Sequence, residues 1–179
     1  MESFVKRLRE FQVKQIEVRV DKVEKLSGRL TERLVVDFPN AVAMVPFIPP
    51  NQLLAVRQYR YPLGQETLEL PAGKVDPGET TLEAVHRELL EETGCKAGKV
   101  VKLLTYAPAM GYSSEIINIY FVTDLTRVEG VGVDPDEIRQ VETITVEEVW
   151  EQLKANTLVD PKFPIGVLMA EKLGLLTSR

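Results

Sequence analysis

Apolar and charged residues alternate from Lys14 to Gly28, the period-two pattern of a strand with one covered face. RLVVDF, from Arg33 to Phe38, continues that pattern after a turn at Ser27-Gly28. Ala41 to Pro49 is apolar throughout and predicts a buried strand, and Leu53 to Arg60 predicts another beyond a turn at Asn51. Thr67 to Pro71 reads as a short strand ending at the proline. The loop AGKVDPGE then leads into a helix. Thr80 or Thr81 is placed to cap it, Ala84, Val85 and Leu89 form its apolar side, and Gly94 ends it. Val100 to Ala107 and Ile116 to Leu125 predict strands, with the loop PAMGYSSE between them. Thr145 to Asn156 predicts an amphipathic helix with Thr145 and Glu148 at capping-box positions. Pro164 to Leu176 predicts a last helix with a proline near its start. This order of strands, helix, strands and two helices predicts a mixed α/β (α+β) chain without regular βαβ alternation. A soft boundary near residues 37–40 sets apart residues 1–38, an N-terminal sheet, from residues 39–179.

A length of 179 residues suits one domain of ordinary size with a small extra lobe, and a 44% hydrophobic share suffices for a packed core. The net charge of −5 argues against a nucleic-acid backbone as the partner, because phosphate binding favours a basic surface. One cysteine, Cys95, excludes an intrachain disulfide and points to a reducing compartment. The first residues lack the apolar core of a signal peptide, and no apolar run reaches membrane-spanning length. The expectation is a cytoplasmic protein without a membrane partner.

The helix from Thr81 carries the chemistry. Glu88, Glu91 and Glu92 meet the i, i+3 and i+4 spacing, so their carboxylates share one patch. Like charges so placed destabilise an isolated helix by a few tenths of a kcal/mol each, roughly, and Arg87 screens only part of this. A solvated acidic face is the plain reading of such a cluster. A hard divalent cation, which takes oxygen ligands, is the alternative.

The spacing around those glutamates is specific. Gly73, Glu79, the run Arg87-Glu88-Leu89, the pair Glu91-Glu92 and Gly94 stand at the separations of G-x5-E-x7-R-E-U-x-E-E-x-G-U, where U is bulky and aliphatic. This segment resembles the Nudix box. Cys95, at the final U, is the one departure, and it packs as a small apolar group. The flanking stretches ELPAGKVDPGE and RQYRYP, with Pro108 past the box, resemble the ADP-ribose pyrophosphatase branch of that family. The likeness spans roughly Ala41 to Val122, and it departs from the branch at Ala109 and Met110.

The resemblance implies a Nudix fold, a mixed β-sheet sandwiched between helices, with the N-terminal antiparallel β-sheet serving dimerisation. It implies hydrolysis of the pyrophosphate bond of ADP-ribose to AMP and ribose 5-phosphate, dependent on Mg²⁺, with Mn²⁺ as an alternative. Glu88, Glu92 and Glu91 are then metal ligands together with the Ala72 carbonyl. Glu115 stands where the branch supplies a carboxylate that orients or deprotonates water, so Glu115, Glu88 and Glu92 form the expected catalytic set. Arg57, Arg60, Glu69 and Lys74 are the substrate-binding candidates, although Arg60 as a surface arginine and Glu69 as a structural acceptor are equally compatible with their positions. Gly73, Glu79 and Arg87 are structural support, with Arg87 and Glu79 as an ion pair bracing the loop on the helix. The expected partners are ADP-ribose and a second copy of the chain in a homodimer.

Other residues count for less. His86 is the only histidine, so a histidine-based site has no support, and it reads as an exposed helix residue. Cys95 and Trp150 read as packing, and Tyr106, Tyr112 and Phe38 as core or rim. Competing functions are hydrolysis of another nucleotide sugar such as GDP-mannose, hydrolysis of a dinucleoside polyphosphate, and a Nudix module that binds a nucleotide without cleaving it.

Overall fold

A computed structural model describes residues 1–131, 133–134, 136, 138–158 and 160–176. Its elements run β1 (Ser3–Val13), β2 (Ile16–Glu24), β3 (Leu30–Asp37), β4 (Ala41–Ile48), β5 (Gln52–Arg60), β6 (Gln65–Glu69), β7 (Ala72–Lys74), α1 (Thr81–Thr93), β8 (Cys95–Tyr106), β9 (Ile117–Arg127), β10 (Gln140–Thr145), α2 (Val146–Lys154) and α3 (Lys162–Lys172). The chain divides into two compact units, Met1–Asn40 with Tyr106–Ile117, and Ala41–Thr105 with Asn118–Arg179.

The first unit is built on an antiparallel sheet in the order β1-β2-β3. Val13 faces Ile16 across a tight turn in which Lys14 takes a positive φ of 53°. The segment 109–114 joins this unit through main-chain bonds. Val36 N–H donates to the Tyr112 carbonyl at 2.7 Å, and Ser114 N–H donates to the Val36 carbonyl at 3.0 Å. The Ser114 hydroxyl also accepts from Phe38 N–H at 3.0 Å. The loop that carries Glu115 is therefore fastened to β3 rather than free of it.

In the second unit the sheet order is β10-β5-β4-β9-β8, with β6 added to β5 and β7 to β4. β4 is apolar throughout because both of its faces are covered. Val42 and Met44 pack with Ala84, Val85 and Leu89 of α1 and with Tyr120 and Val122 of β9. Residues of the opposite parity meet α3, where a Cβ on Gly166 would sit 2.6 Å from Val45 and 3.4 Å from Ile119. Period-two alternation thus places α1 and α3 on opposite faces of the sheet. The expected mixed α+β fold, with a sheet between helices and a separate antiparallel N-terminal sheet, is the fold observed.

The α2 capping box forms as expected, and α1, whose cap the sequence left open between Thr80 and Thr81, is closed by a box on Thr80. Thr80 accepts from Glu83 N–H while Glu83 reaches back to Thr80 N–H, and Gly94 closes α1 at φ 69°. Thr145 and Glu148 do the same for α2. The Thr81 and Tyr120 hydroxyls share a hydrogen bond of 2.7 Å, which ties the first turn of α1 to β9.

Three strands depart from the sequence reading. β1 is exposed along its whole length, so no covered face stamps an alternation on it. β7 occupies the start of what reads as loop, where Ala41, Val42 and Ala43 pair with Lys74, Gly73 and Ala72. β10 lies along β5, from Gln140 opposite Arg57 to Thr145 opposite Gln52. Among the described residues no helix is long and apolar enough to cross a membrane.

Candidate active site

The loop between β7 and α1 is held by one arginine. Arg87 donates from Nε and Nη2 to the two oxygens of Glu79, at 2.8 Å each, and from Nη2 to the Lys74 carbonyl at 2.8 Å. Glu79 also accepts from Asp76 N–H at 3.0 Å. The Arg87 bond, then the Asp76 N–H, hold the Glu79 carboxyl at about 2, so it stays ionised. In turn Glu79 holds the Arg87 guanidinium above its ordinary range. The expected Arg87–Glu79 pair is present in this geometry.

Glu88, Glu91 and Glu92 line one cleft of about 360 Å³, together with Leu90, Val131, Asp134 and Ile138. They are held differently. Arg87 Nη1 donates to Glu88 at 2.6 Å and to Glu91 at 3.2 Å. The Glu88 side chain is only 13% exposed whereas that of Glu91 is 59% exposed. Glu92 is buried, and its oxygens accept from Ala72 N–H at 2.8 Å and from Gln58 Nε2 at 3.2 Å.

Gly73 explains how Glu88 lies where it does. A Cβ on Gly73 would fall 1.9 Å from Glu88 Cδ and 2.0 and 2.1 Å from its oxygens. The carboxylate of α1 thus occupies the space a side chain on β7 would take. Among the described residues no three His, Cys, Asp or Glu side chains already converge as a metal cluster. The donor set nonetheless suits a hard divalent cation. It consists of carboxylate oxygens on one cleft wall, with neither histidine nor thiol among them.

Arg60 and Glu69 form a second cluster. Arg60 Nε and Nη2 donate to the two Glu69 oxygens at 2.5 Å each, the Thr67 hydroxyl donates to Glu69 at 2.6 Å, and Lys162 Nζ at 3.2 Å. Burial alone would push Glu69 up. The Arg60 bond, the Lys162 charge and the Thr67 bond together outweigh it and hold the carboxyl at about 2. Lys162 also meets Asp160 at 2.9 Å, and Asp160 accepts from Leu70 N–H at 3.0 Å. Burial pushes the Asp160 carboxyl up against the pull of Lys162.

Of the remaining candidates, Arg57 pairs with Glu142 of β10 at 2.7 Å, and Lys74 contributes its carbonyl to Arg87. Glu115 belongs to the first unit, where its N–H donates to the Ser113 hydroxyl at 3.2 Å. His86 is exposed and Cys95 is buried.

Sequence reasoning passed over Gln58, Asp134, Asp160 and Lys162. Gln58 left a trace. It sits in RQYRYP between Arg57 and Tyr59, where alternation turns it to the other face of β5. Lys162 stands 93 residues from Glu69 and left none.

A model of the NUDIX domain matches residues 37–164. The chain is 33% identical over 167 residues to a methanol dehydrogenase activator of Bacillus methanolicus, covering 93% of this chain and 90% of that protein. It is 31% identical over 153 residues to an ADP-ribose pyrophosphatase of Bacillus subtilis (strain 168), covering 85% and 83%. The crystal structure of an ADP compounds hydrolase superposes with a TM-score of 0.80 at 22% identity, over 96% of this chain and 93% of the other, which shows the shared fold. The family match covers well over half of the chain and falls on the fold and the glutamate helix described above, so the chain belongs to the NUDIX family and is a Nudix hydrolase.

Proposed function

We propose that this chain hydrolyses the pyrophosphate bond of ADP-ribose, releasing AMP and ribose 5-phosphate, with Mg²⁺ or Mn²⁺ as the metal. The supporting observation is the cleft wall of Glu88, Glu91 and Glu92, with Glu88 laid over Gly73. The likeness to a pyrophosphatase named for ADP-ribose, over 85% of this chain, supports the substrate.

In this reading Glu88, Glu91 and Glu92 hold the cation together with the Ala72 carbonyl. When bound, the cation supplies positive charge against the diphosphate and acidifies water. The protein's own contributions are positional. Glu92 is fixed by two strand donors, Arg87 keeps its helix face aligned, and burial of Glu92 keeps solvent from its carboxylate. Glu115 takes the proton of the attacking water, a role it has from the sequence resemblance. Water adds to one phosphorus as the bridging P–O bond breaks, and the leaving phosphate carries away the electron pair. Arg60, partly exposed beside Glu69, with Arg57, Glu69 and Lys74, contacts the substrate.

The first unit serves as the dimer interface in this reading, supported by the exposed apolar residues Phe4, Val5, Leu8, Phe11 and Val13 on β1. The protein acts in the cytoplasm, a reading supported by its one, buried cysteine.

Hydrolysis assayed across ADP-ribose, other nucleotide sugars and dinucleoside polyphosphates, with and without Mg²⁺, tests the assignment. ADP-ribose is expected to be cleaved fastest and only with metal. Preferred cleavage of a guanosine sugar would replace the substrate, and no turnover of any diphosphate would replace catalysis by binding. A second reading comes from the 33% identity to the methanol dehydrogenase activator. In that reading the chain activates a methanol dehydrogenase, and adding it to such an enzyme and measuring the rate tests that directly.

A further inference from the structure

We propose that Gln58 is a positioning residue that sets the carboxylate plane of Glu92, an inference that rests on the reading of Glu92 as a metal ligand. Gln58 is buried on β5 and stands 34 residues from Glu92 in sequence. The Gln58 amide nitrogen donates to one Glu92 oxygen at 3.2 Å. The other Glu92 oxygen accepts from Ala72 N–H at 2.8 Å. One donor belongs to β5 and the other to β7, two strands of one sheet, and each engages a different oxygen. A glutamate side chain with both oxygens so engaged cannot rotate its carboxylate without breaking one bond.

Glu88 and Glu91 instead both accept from the side chain of Arg87, a donor on their own helix. The chemistry of the donor matters as well. A lysine or arginine at position 58 would orient Glu92 and also neutralise it, leaving less charge to attract a cation. A neutral amide orients without neutralising. Burial sharpens the effect, because a hydrogen bond in a low-dielectric site constrains more strongly than one in water. Hydrogen bonds to a ligating carboxylate contribute about 10- to 100-fold to metal affinity.

Mn²⁺ binding to the full chain without substrate, measured by calorimetry or by loss of the free-ion paramagnetic signal, tests this. Gln58→Met keeps length and burial but removes the donor. It is expected to weaken Mn²⁺ binding about 10-fold or more. Glu92→Gln is expected to weaken it as well. Because Gln58 acts through Glu92, the double variant is expected to bind within about twofold of Glu92→Gln alone. Should Gln58→Met fail to fold by near-ultraviolet circular dichroism, Gln58→Asn carries the same expectation, its amide being one methylene short of Glu92. Unchanged binding in the Gln58 variant beside impaired Glu92→Gln would overturn the positioning role and leave the metal reading standing. Additive losses in the double variant would overturn it too. Unchanged binding in Glu92→Gln would remove the metal reading, and the positioning role with it.

Discussion

Gly73→Ala isolates the packing of one carboxylate against one strand. Gly73 has no positive φ, so alanine adopts the same backbone without strain. The added Cβ would fall 1.9 Å from Glu88 Cδ and 2.0 and 2.1 Å from its oxygens. Non-bonded carbon atoms settle at about 3.5–4.0 Å, so the carboxylate must move by about 1.5 Å or more. Its side chain is flexible and α1 remains anchored by its cap, its apolar face and the Arg87–Glu79 pair. The fold should therefore lose only about 1 kcal/mol, a melting shift of about 2–4 °C for a chain of this size. Activity should suffer far more. A misplacement of about 1 Å at a reacting centre costs on the order of 100-fold. The assay is ADP-ribose hydrolysis at saturating Mg²⁺, run beside a thermal melt. The expected result is a rate reduced about 100-fold in a folded protein. A rate within about threefold of the parent would show that the seat of Glu88 over Gly73 is not what hydrolysis requires.

Glu69 predicts an acid-dependent stability. Its carboxyl is held at about 2 instead of the ordinary 4.5, so its contribution is present above pH 4.5 and is lost as pH falls to about 2. The full difference corresponds to at most about 3 kcal/mol. Glu69→Gln should be less stable than the parent at neutral pH, and urea unfolding across pH should show the gap narrowing below pH 4.5. A constant gap would refute the linkage. Thr80→Ala removes the α1 cap and should cost about 1 kcal/mol in urea unfolding, with no change expected if the reciprocal bonds to Glu83 contribute nothing. Light scattering should give twice the 20.2 kDa chain mass, and lysines at Phe4 and Phe11 should return it to one chain. A parent protein of single-chain mass would end the dimer assignment.

How much of this was legible beforehand follows from the range of each interaction. The cap of α2 was readable because Thr145 and Glu148 lie within one turn of each other, and that of α1 was readable to within Thr80 or Thr81. The common cleft wall of Glu88, Glu91 and Glu92 was readable for the same reason, since helical periodicity is local. β4 was readable because burial on both faces leaves a continuous apolar run. β1, β7 and β10 were not, since each is a strand only through its pairing partner. An exposed or short segment bears no pattern of its own when the neighbour supplies the hydrogen bonds.

The candidate site divides along the same line. From its own residues and spacing the sequence determined the box, the helix face and the charge that invites a cation, while the brace of Arg87 on Glu79 came from the family resemblance. Only the tertiary structure decided that Glu88 lies over Gly73 and that Gln58 and Ala72 grip Glu92. It alone joined Lys162 to Glu69 across 93 residues. Local geometry repeats wherever the same residues follow one another. Contacts between distant strands exist only once the sheet has set their register, and nothing in either segment encodes the other.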